Sequence, residues 1–349
     1  APSNLNRDDT GSPKTAAYGG VTRARVSSQC WKKAVRDMFR DSFPPEKLSK
    51  RTKKIVGMVA DQIRRLGGSN DPETMAQKIL ETAGLKIKSA EKGTDALFFM
   101  SNAQARALAQ LAVEDPETTK EKPSKEAKDK AQNALRQFPG IDIALFGRMV
   151  ADDPVLNTDA CAQVAHSIST HKVSNEYDYF TAVDDLAPEE NTGAGHIGTV
   201  EFNSSTLYRY ATVAVHELYR QLSGDTIDAV REFVRAFVYS MPTGKQNTFA
   251  NRTLPDAVLV TLRKDQPVNL VGAFEKPVQA SDEGYVAGSA KRLIAHAQNV
   301  YRNYAGEPAL SLANCELLSA LGDVHPMNTL LDVLADALRN DLENGGDVK

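Results

Sequence analysis

STLYRYATVAV (residues 205–215) and DTIDAVREFVRAFVYSM (225–241) set the fold class, because the hydrophobic period changes from two to about 3.6 between them. In the first, Leu207, Arg209, Ala211 and Val213 alternate with Tyr208, Tyr210 and Thr212, the pattern of a strand. In the second, Ile227, Val230, Val234, Phe237, Val238 and Met241 share one helical face. Working outward, CAQVAHSISTHKV (161–173), DAVLVTL (256–262) and PVNLVGAF (267–274) also read as strands. Upstream, QCWKKAVRDMFR (29–40) carries Trp31, Val35, Met38 and Phe39 at i, i+4, i+7 and i+8, a buried helix face, with Ser27 and Ser28 as N-cap candidates.

The order is therefore helix, strand, strand, helix, strand. One further strand, expected ahead of Ala1, completes β-α-β-β-α-β, the ferredoxin-like arrangement shared with RNA-recognition modules. The expected class is α+β: a ferredoxin-like (RRM-like) palm built from 1–36 and 137–349, interrupted by a helical insertion over 37–136. Residues 1–26 read as an extended loop punctuated by Gly11, Gly19 and Gly20. Within the insertion, VGMVADQIRRL, ETMAQKILETAG and ALFFMSNAQARALAQLAVED read as helices, and EDPETTKEKPSKEAKDKAQ as a solvated loop leading into another. Residues 174–205 are too long for a tight turn, and Gly193, Gly195 and Gly198 make them a projecting hairpin. Further helices are expected over about 289–304 and 328–341.

The 349 residues are 41% hydrophobic and 25% charged, ordinary for a globular chain, and no apolar run has the roughly 18 residues of a membrane span. Cys30, Cys161 and Cys315 are scattered, which suits a reducing cytoplasm and forms no zinc signature. Net charge is −3, yet residues 1–60 hold 13 Lys+Arg against 5 Asp+Glu. Phosphate binding needs local and not total positive charge. Lys32, Arg36 and Arg40 form a basic stripe at i, i+4 and i+8 on the first helix, beside its free N-terminal amides.

Catalytic chemistry finds little support. His166 and His171 lie five apart on a predicted strand and project to opposite faces. Asp8-Asp9 and Asp184-Asp185 are sequence neighbours, suited to turns and caps more than to a shared metal. No Walker or dinucleotide glycine motif occurs. The expectation is a chain with no catalytic residues, no metal and no cofactor. Basic residues among turns, aromatic-bearing strands and a flap fit a single-strand RNA binder.

Eight segments together resemble one family: LNRDD (5–9), YGGVTRARVSSQ (18–29), KKAVR (32–36), GIDIALFGRM (140–149), AHSISTHKV (165–173), DYFTAVDDL (178–186), GHIGTVEFNSSTLYRYA (195–211) and TGKQNTFA (243–250). In this order they resemble the CasC-type backbone subunit of the type I-E CRISPR Cascade, within the repeat-associated RNA-binding superfamily. The resemblance implies a hand of palm, helical fingers and thumb (174–205). Copies stack as a helical filament along guide crRNA, kink it at intervals and leave it to pair with target DNA in antiviral defence. Base pairing then reads sequence while protein grips backbone. Implied partners are guide crRNA, target DNA, further copies of the chain, subunits of the CasA, CasB, CasD and CasE types, and indirectly a recruited helicase-nuclease, with no membrane. Carried over by motif, Arg7, Lys14, Arg23 and Arg25 line the palm's RNA path. Ser27, Gln29, Lys32 and Arg36 hold phosphates, Met149 and Thr181 wedge beside a displaced base, and Arg148 and Lys245 join the RNA-binding set. Met149 read as core filling is the plain alternative. The functional alternatives are a superfamily endoribonuclease that processes or cuts RNA, and a type III-like backbone cutting target RNA through a thumb-region Asp.

Overall fold

The structure is a computed structural model describing residues 1–150, 153–182 and 196–344. It is a mixed α+β chain of small sheets and many helices, and no helix among the described residues is long and apolar enough to cross a membrane. The chain divides into two compact units: Ala1–Val35, Val164–Thr212 and Val234–Ala337 in the first, Arg36–Gln163, Val213–Phe233 and Leu338–Lys349 in the second. The division falls inside helix α1 (Ser28–Ser42).

The first unit centres on a four-stranded antiparallel sheet in the order Leu207–Tyr208, Ser167–Ser169, Val21–Val26, Thr15–Tyr18. The loop expected over 1–26 is thus partly a hairpin. Gly19 and Gly20, at φ +60° and +75°, make its two-residue turn, which needs positive φ at both positions. Only glycine fits at 19, where a Cβ would stand 1.6 Å from the Glu275 carbonyl oxygen. The hairpin's second strand, Val21–Val26, leads directly into α1. Ser27 caps that helix, its Oγ accepting from Cys30 N at 3.4 Å. The predicted apolar face is buried at Trp31, Val35 and Phe39, with Met38 half-buried. Burying such a side chain contributes roughly 1.5–3 kcal/mol. Pro44 and Pro45 follow the helix and cannot extend it.

A second sheet joins Pro2–Ser3 to a long ribbon of His196–Ser204 and Glu176–Ala182. A third holds Leu259–Leu262, Leu310–Ala313 and, parallel to it, Asp323–Val324. The strand expected over 267–274 is instead a 3-10 turn, Leu270–Phe274, because Asn269 caps it by accepting from Val271 N. The run STLYRYATVAV breaks into two short strands, Leu207–Tyr208 and Ala211–Val213. At the break sits Arg209, its guanidinium between Trp31 (3.6 Å) and Phe237 (4.2 Å), its Nε and Nη2 buried without hydrogen-bond partners among the described residues.

The second unit has its own core. Helices α2 (Ile55–Arg65), α3 (Pro72–Thr82), α4 (Asn102–Glu114) and α5 (Lys125–Arg136) bury Ile55, Val59, Ile63, Ala76, Ile79, Leu80, Leu108, Ala109, Ala131 and Leu135 together. Three of the four start on a side-chain cap: Asp71 caps α3, Ser101 with Gln104 makes a capping box for α4, and Ser124 caps α5. Residues 96–101, expected to be helical, form instead the strand Phe98–Ser101 paired with Ser49–Thr52. Four consecutive buried residues there favour a strand covered on both faces.

Two arginines expected to face RNA are structural. Arg23 is fully buried and donates to the carbonyls of Tyr18 (3.1 Å), Ser169 (2.9 Å), Phe274 (2.8 Å) and Glu275 (3.2 Å). Arg148 is buried and donates to the carbonyls of Leu156, Phe99 and Leu135 and to Gln104 Oε1; burial lowers its pKa to about 10. In each case the guanidinium is spent on buried oxygens, backbone carbonyls and for Arg148 also Gln104 Oε1, and its side chain has almost no surface left for a phosphate.

Arg23→Met should destabilise the chain by about 3 kcal/mol, since several buried carbonyls lose their donor at once. Arg23→Lys should recover little, because one ammonium cannot reach carbonyls fanned over three segments. Urea denaturation followed by circular dichroism measures both, and a wild-type midpoint for Arg23→Met would contradict the role.

Candidate nucleic-acid interface

Three of the expected cations, Arg7, Lys14 and Arg25, lie on or against the N-terminal segment of the first unit. Asp8 builds the turn there: its Oδ1 accepts from Thr10 N, Ser12 N and Thr10 Oγ, which holds its carboxyl below the usual range. The turn leaves Arg7 exposed and bridged to Pro13. Asn6 ties the segment to the helix start, its Oδ1 accepting from Ser27 N at 2.9 Å and its carbonyl from Lys14 N. Arg25 N in turn donates to the Lys14 carbonyl. Ser27 is therefore buried, occupied as cap and tether, while Gln29 two residues on is exposed and Lys32 half-buried. Burial lowers the Lys32 pKa.

The segment TGKQNTFA comes to the same place. A Cβ on Gly244 would lie 2.3 Å from the Leu5 carbonyl oxygen, so LNRDD and TGKQ touch through backbone. Lys245 takes φ +49°, a conformation that costs a non-glycine residue about 1 kcal/mol or more and recurs at functional sites. Asn251 Nδ2 donates to the Gly244 carbonyl and Phe249 packs on Phe202 of the ribbon, ring centroids 5.3 Å apart. A shallow pocket opens beside this junction, lined among others by Ser3, Asn6, Lys14, Arg25, Asn203 and Ser205, two cations and no carboxylate.

Arg25 donates from Nε to the Thr15 carbonyl and from Nη1 to His166 Nδ1, both at 3.0 Å. A guanidinium only donates, so His166 is neutral with its proton on Nε2. Burial first, then Arg25 and Lys14, hold its pKa below the ordinary value. His171 is structural: it stacks on Tyr285 at 3.7 Å and accepts from Thr206 N. Among the described residues no three His, Cys, Asp or Glu side chains converge as metal ligands, and Asp184 and Asp185 lie outside those residues.

Known proteins agree with this pattern of motifs. The family model of CT1975-like proteins matches residues 1–334. The chain belongs to the CT1975-like Cas family. It is similar, at 32% identity and TM-score 0.80, to a chain in a structure described as "CRISPR RNA-guided surveillance complex, pre-nicking", over 97% of this chain and 96% of that one. A second such structure, "CRISPR RNA-guided surveillance complex", matches at 28% identity and TM-score 0.62 over 97% and 95%. No curated protein matches the sequence.

In this CT1975-like chain the remaining expected site residues are Arg36 and Met149 in the second unit and Thr181 in the first. Arg36 is held by Asp142 within the second unit, Nε to Oδ2 at 3.4 Å. Met149, next to the buried Arg148, is 86% exposed, so it fills no core. Thr181 lies on the ribbon opposite Ile197, and every residue of its strand Glu176–Ala182 is exposed; the tip at 183–195 lies outside the described residues. The residues that sequence reasoning missed are Asn6, Gly244 and Asp142, while His166, weighed there for catalysis, is the acceptor for Arg25. Asn6 and Gly244 each sat beside a residue that was singled out, but nothing in one dimension showed that their segments meet.

Gly244→Ala should push the N-terminal segment off its seat and raise hydrogen exchange at the Lys14 and Ser27 amides, with the helical core of the second unit unaffected. Exchange mass spectrometry on peptides covering these amides reads the effect; wild-type protection there would rule the coupling out.

Proposed function

We propose that this Cas-family chain is the backbone subunit of a type I-E Cascade surveillance complex. It oligomerises along guide crRNA, grips its phosphates and kinks it periodically for pairing with target DNA. The observation that carries the reading is the near full-length similarity, at TM-score 0.80, to a chain of an RNA-guided surveillance complex. The site is consistent with it. Arg7, Lys14, Arg25, Lys32 and Lys245 are exposed or half-buried in one unit, around a junction that three distant motifs build. Such a surface binds phosphates without reading bases. Met149 and Thr181 are exposed, as residues that flank a displaced base must be.

In this reading the first unit carries the ferredoxin-like palm, the capped helices of the second supply the fingers, and the ribbon is the thumb. A two-stranded ribbon with one strand wholly exposed gains stability from what it covers, here RNA and the next copy of the chain. The chain works in the cytoplasm as a scaffold without catalysis of its own, beside CasA-, CasB-, CasD- and CasE-type subunits, and destruction of DNA falls to a recruited helicase-nuclease.

Purified chain should carry RNA whose sequencing returns repeat-spacer transcripts; recovery of nucleic acid-free protein from cells expressing such transcripts would count against the reading. Arg7→Glu with Lys32→Glu should weaken binding about equally for every spacer and lower the salt slope by roughly 0.7 per lost contact. Incubation with labelled guide and complementary RNA, with Mg²⁺ or Mn²⁺, should leave both intact. Regular metal-dependent cuts lost in Asp184→Ala or Asp185→Ala would favour a target-cutting backbone instead.

A further inference from the structure

Arg36 is gripped by its own unit on two sides. Its Nε faces Asp142 Oδ2 at 3.4 Å, and its guanidinium carbon stands 4.3 Å over the Phe99 ring. The Arg36 side chain keeps 21% of its exposure while that of Asp142 keeps 5%. With Nε engaged and one face stacked, the edge bearing Nη1 and Nη2 has no hydrogen-bond partner among the described residues. That edge is the one whose parallel N–H groups match two oxygens of a phosphate.

Asp142 is itself fixed. It lies in the first turn of helix α6 (Ile141–Phe146), and its Oδ1 accepts from Ser49 N at 3.0 Å. Gly140 makes the approach feasible, since a Cβ there would stand 2.2 Å from Ser49 Oγ and 3.0 Å from Asp142 Oδ1. A buried carboxylate is costly, and burial raises the Asp142 pKa against the opposing pull of Ser49 and Arg36. The Ser49 contact alone needs only a neutral acceptor, which asparagine would supply. The charge has one beneficiary, Arg36.

We propose that Asp142, with Phe99 beneath the guanidinium, is a positioning residue for guide binding: it presets Arg36 so that its terminal amines meet one backbone phosphate of the RNA. The proposal rests on the reading that this chain grips guide RNA and that Arg36 is among its contacts. Preorganisation explains why a carboxylate is kept next to a cation meant for phosphate. A free arginine loses its rotamer freedom on binding, whereas one already held loses little.

The test uses the full chain and a single-stranded RNA of guide length, with affinity measured across a KCl series. Arg36→Gln should weaken binding roughly tenfold, one charge-assisted contact, and lower the salt slope by roughly 0.7. Asp142→Asn should produce most of the same loss and move the slope the same way, because its amide nitrogen would face Arg36 Nε donor to donor. The double variant should bind no worse than Arg36→Gln. Phe99→Leu, which keeps the carboxylate, should show the same non-additivity and serves if Asp142→Asn does not fold. Additive losses, or wild-type binding by Asp142→Asn and Phe99→Leu while Arg36→Gln is impaired, would overturn the positioning role. Wild-type binding by Arg36→Gln with impaired binding by Lys32→Glu would overturn it too and leave RNA gripping intact. Failure of the wild-type chain to bind RNA would instead overturn the functional reading itself.

Discussion

Arg23 donates to four backbone carbonyls from the hairpin turn, the central strand and the 3-10 turn at Leu270–Phe274, and no carboxylate takes part. Those carbonyls come from three separate segments and converge on one buried point. A buried peptide oxygen left without a donor costs about 1–3 kcal/mol, so one planar fork with five N–H groups replaces several separate solutions. The close approach of Gly19 to the Glu275 carbonyl follows from the same contact, because the turn must sit flush for Arg23 to reach Glu275. Arg148 repeats the device in the second unit, gathering Leu156, Phe99, Leu135 and Gln104.

Arg209 shows the complementary solution. Its guanidinium lies between the rings of Trp31 and Phe237, and burial lowers its pKa to about 9. Two of its nitrogens have no acceptor, so the faces of the rings carry the compensation that hydrogen bonds give Arg23. Trp31 is held in turn by donating to Ser167 Oγ at 2.9 Å. Three buried arginines thus tie separate segments of the chain together. Arg25 follows Arg23 by two residues on the same strand, and Met149 follows Arg148 directly. A fixed backbone at each buried arginine gives its exposed neighbour a defined direction.

Local chemistry was legible wherever a signal is short-range. The cap at Ser27, the apolar stripe Trp31–Val35–Phe39 and the turn-forming role of the Asp8-Asp9 pair all follow from residues within one or two turns of each other. Strand extents are less so: the apolar run at 96–101 suits the following helix as well as a strand, and PVNLVGAF suits a sheet as well as a turn, because short apolar runs fit either structure. The hairpin at 15–26 was hidden by its alternation of small residues with arginines.

The sequence by itself determined the family, through eight collinear motifs, and with it the α+β class and the concentration of positive charge in the first 60 residues. It also determined which residue types were available to meet phosphate. Only the tertiary structure decided how each was used. Arg23 and Arg25, two apart on one strand, are chemically identical in sequence, but one points into a layer of unsatisfied carbonyls and the other to the rim beside His166. Asp142 and Arg36 are more than a hundred residues apart, and their pairing depends on Gly140 letting Ser49 approach. Burial and partner choice arise from distant segments meeting, and the energy of a charged group is set by those surroundings more than by its own chemistry.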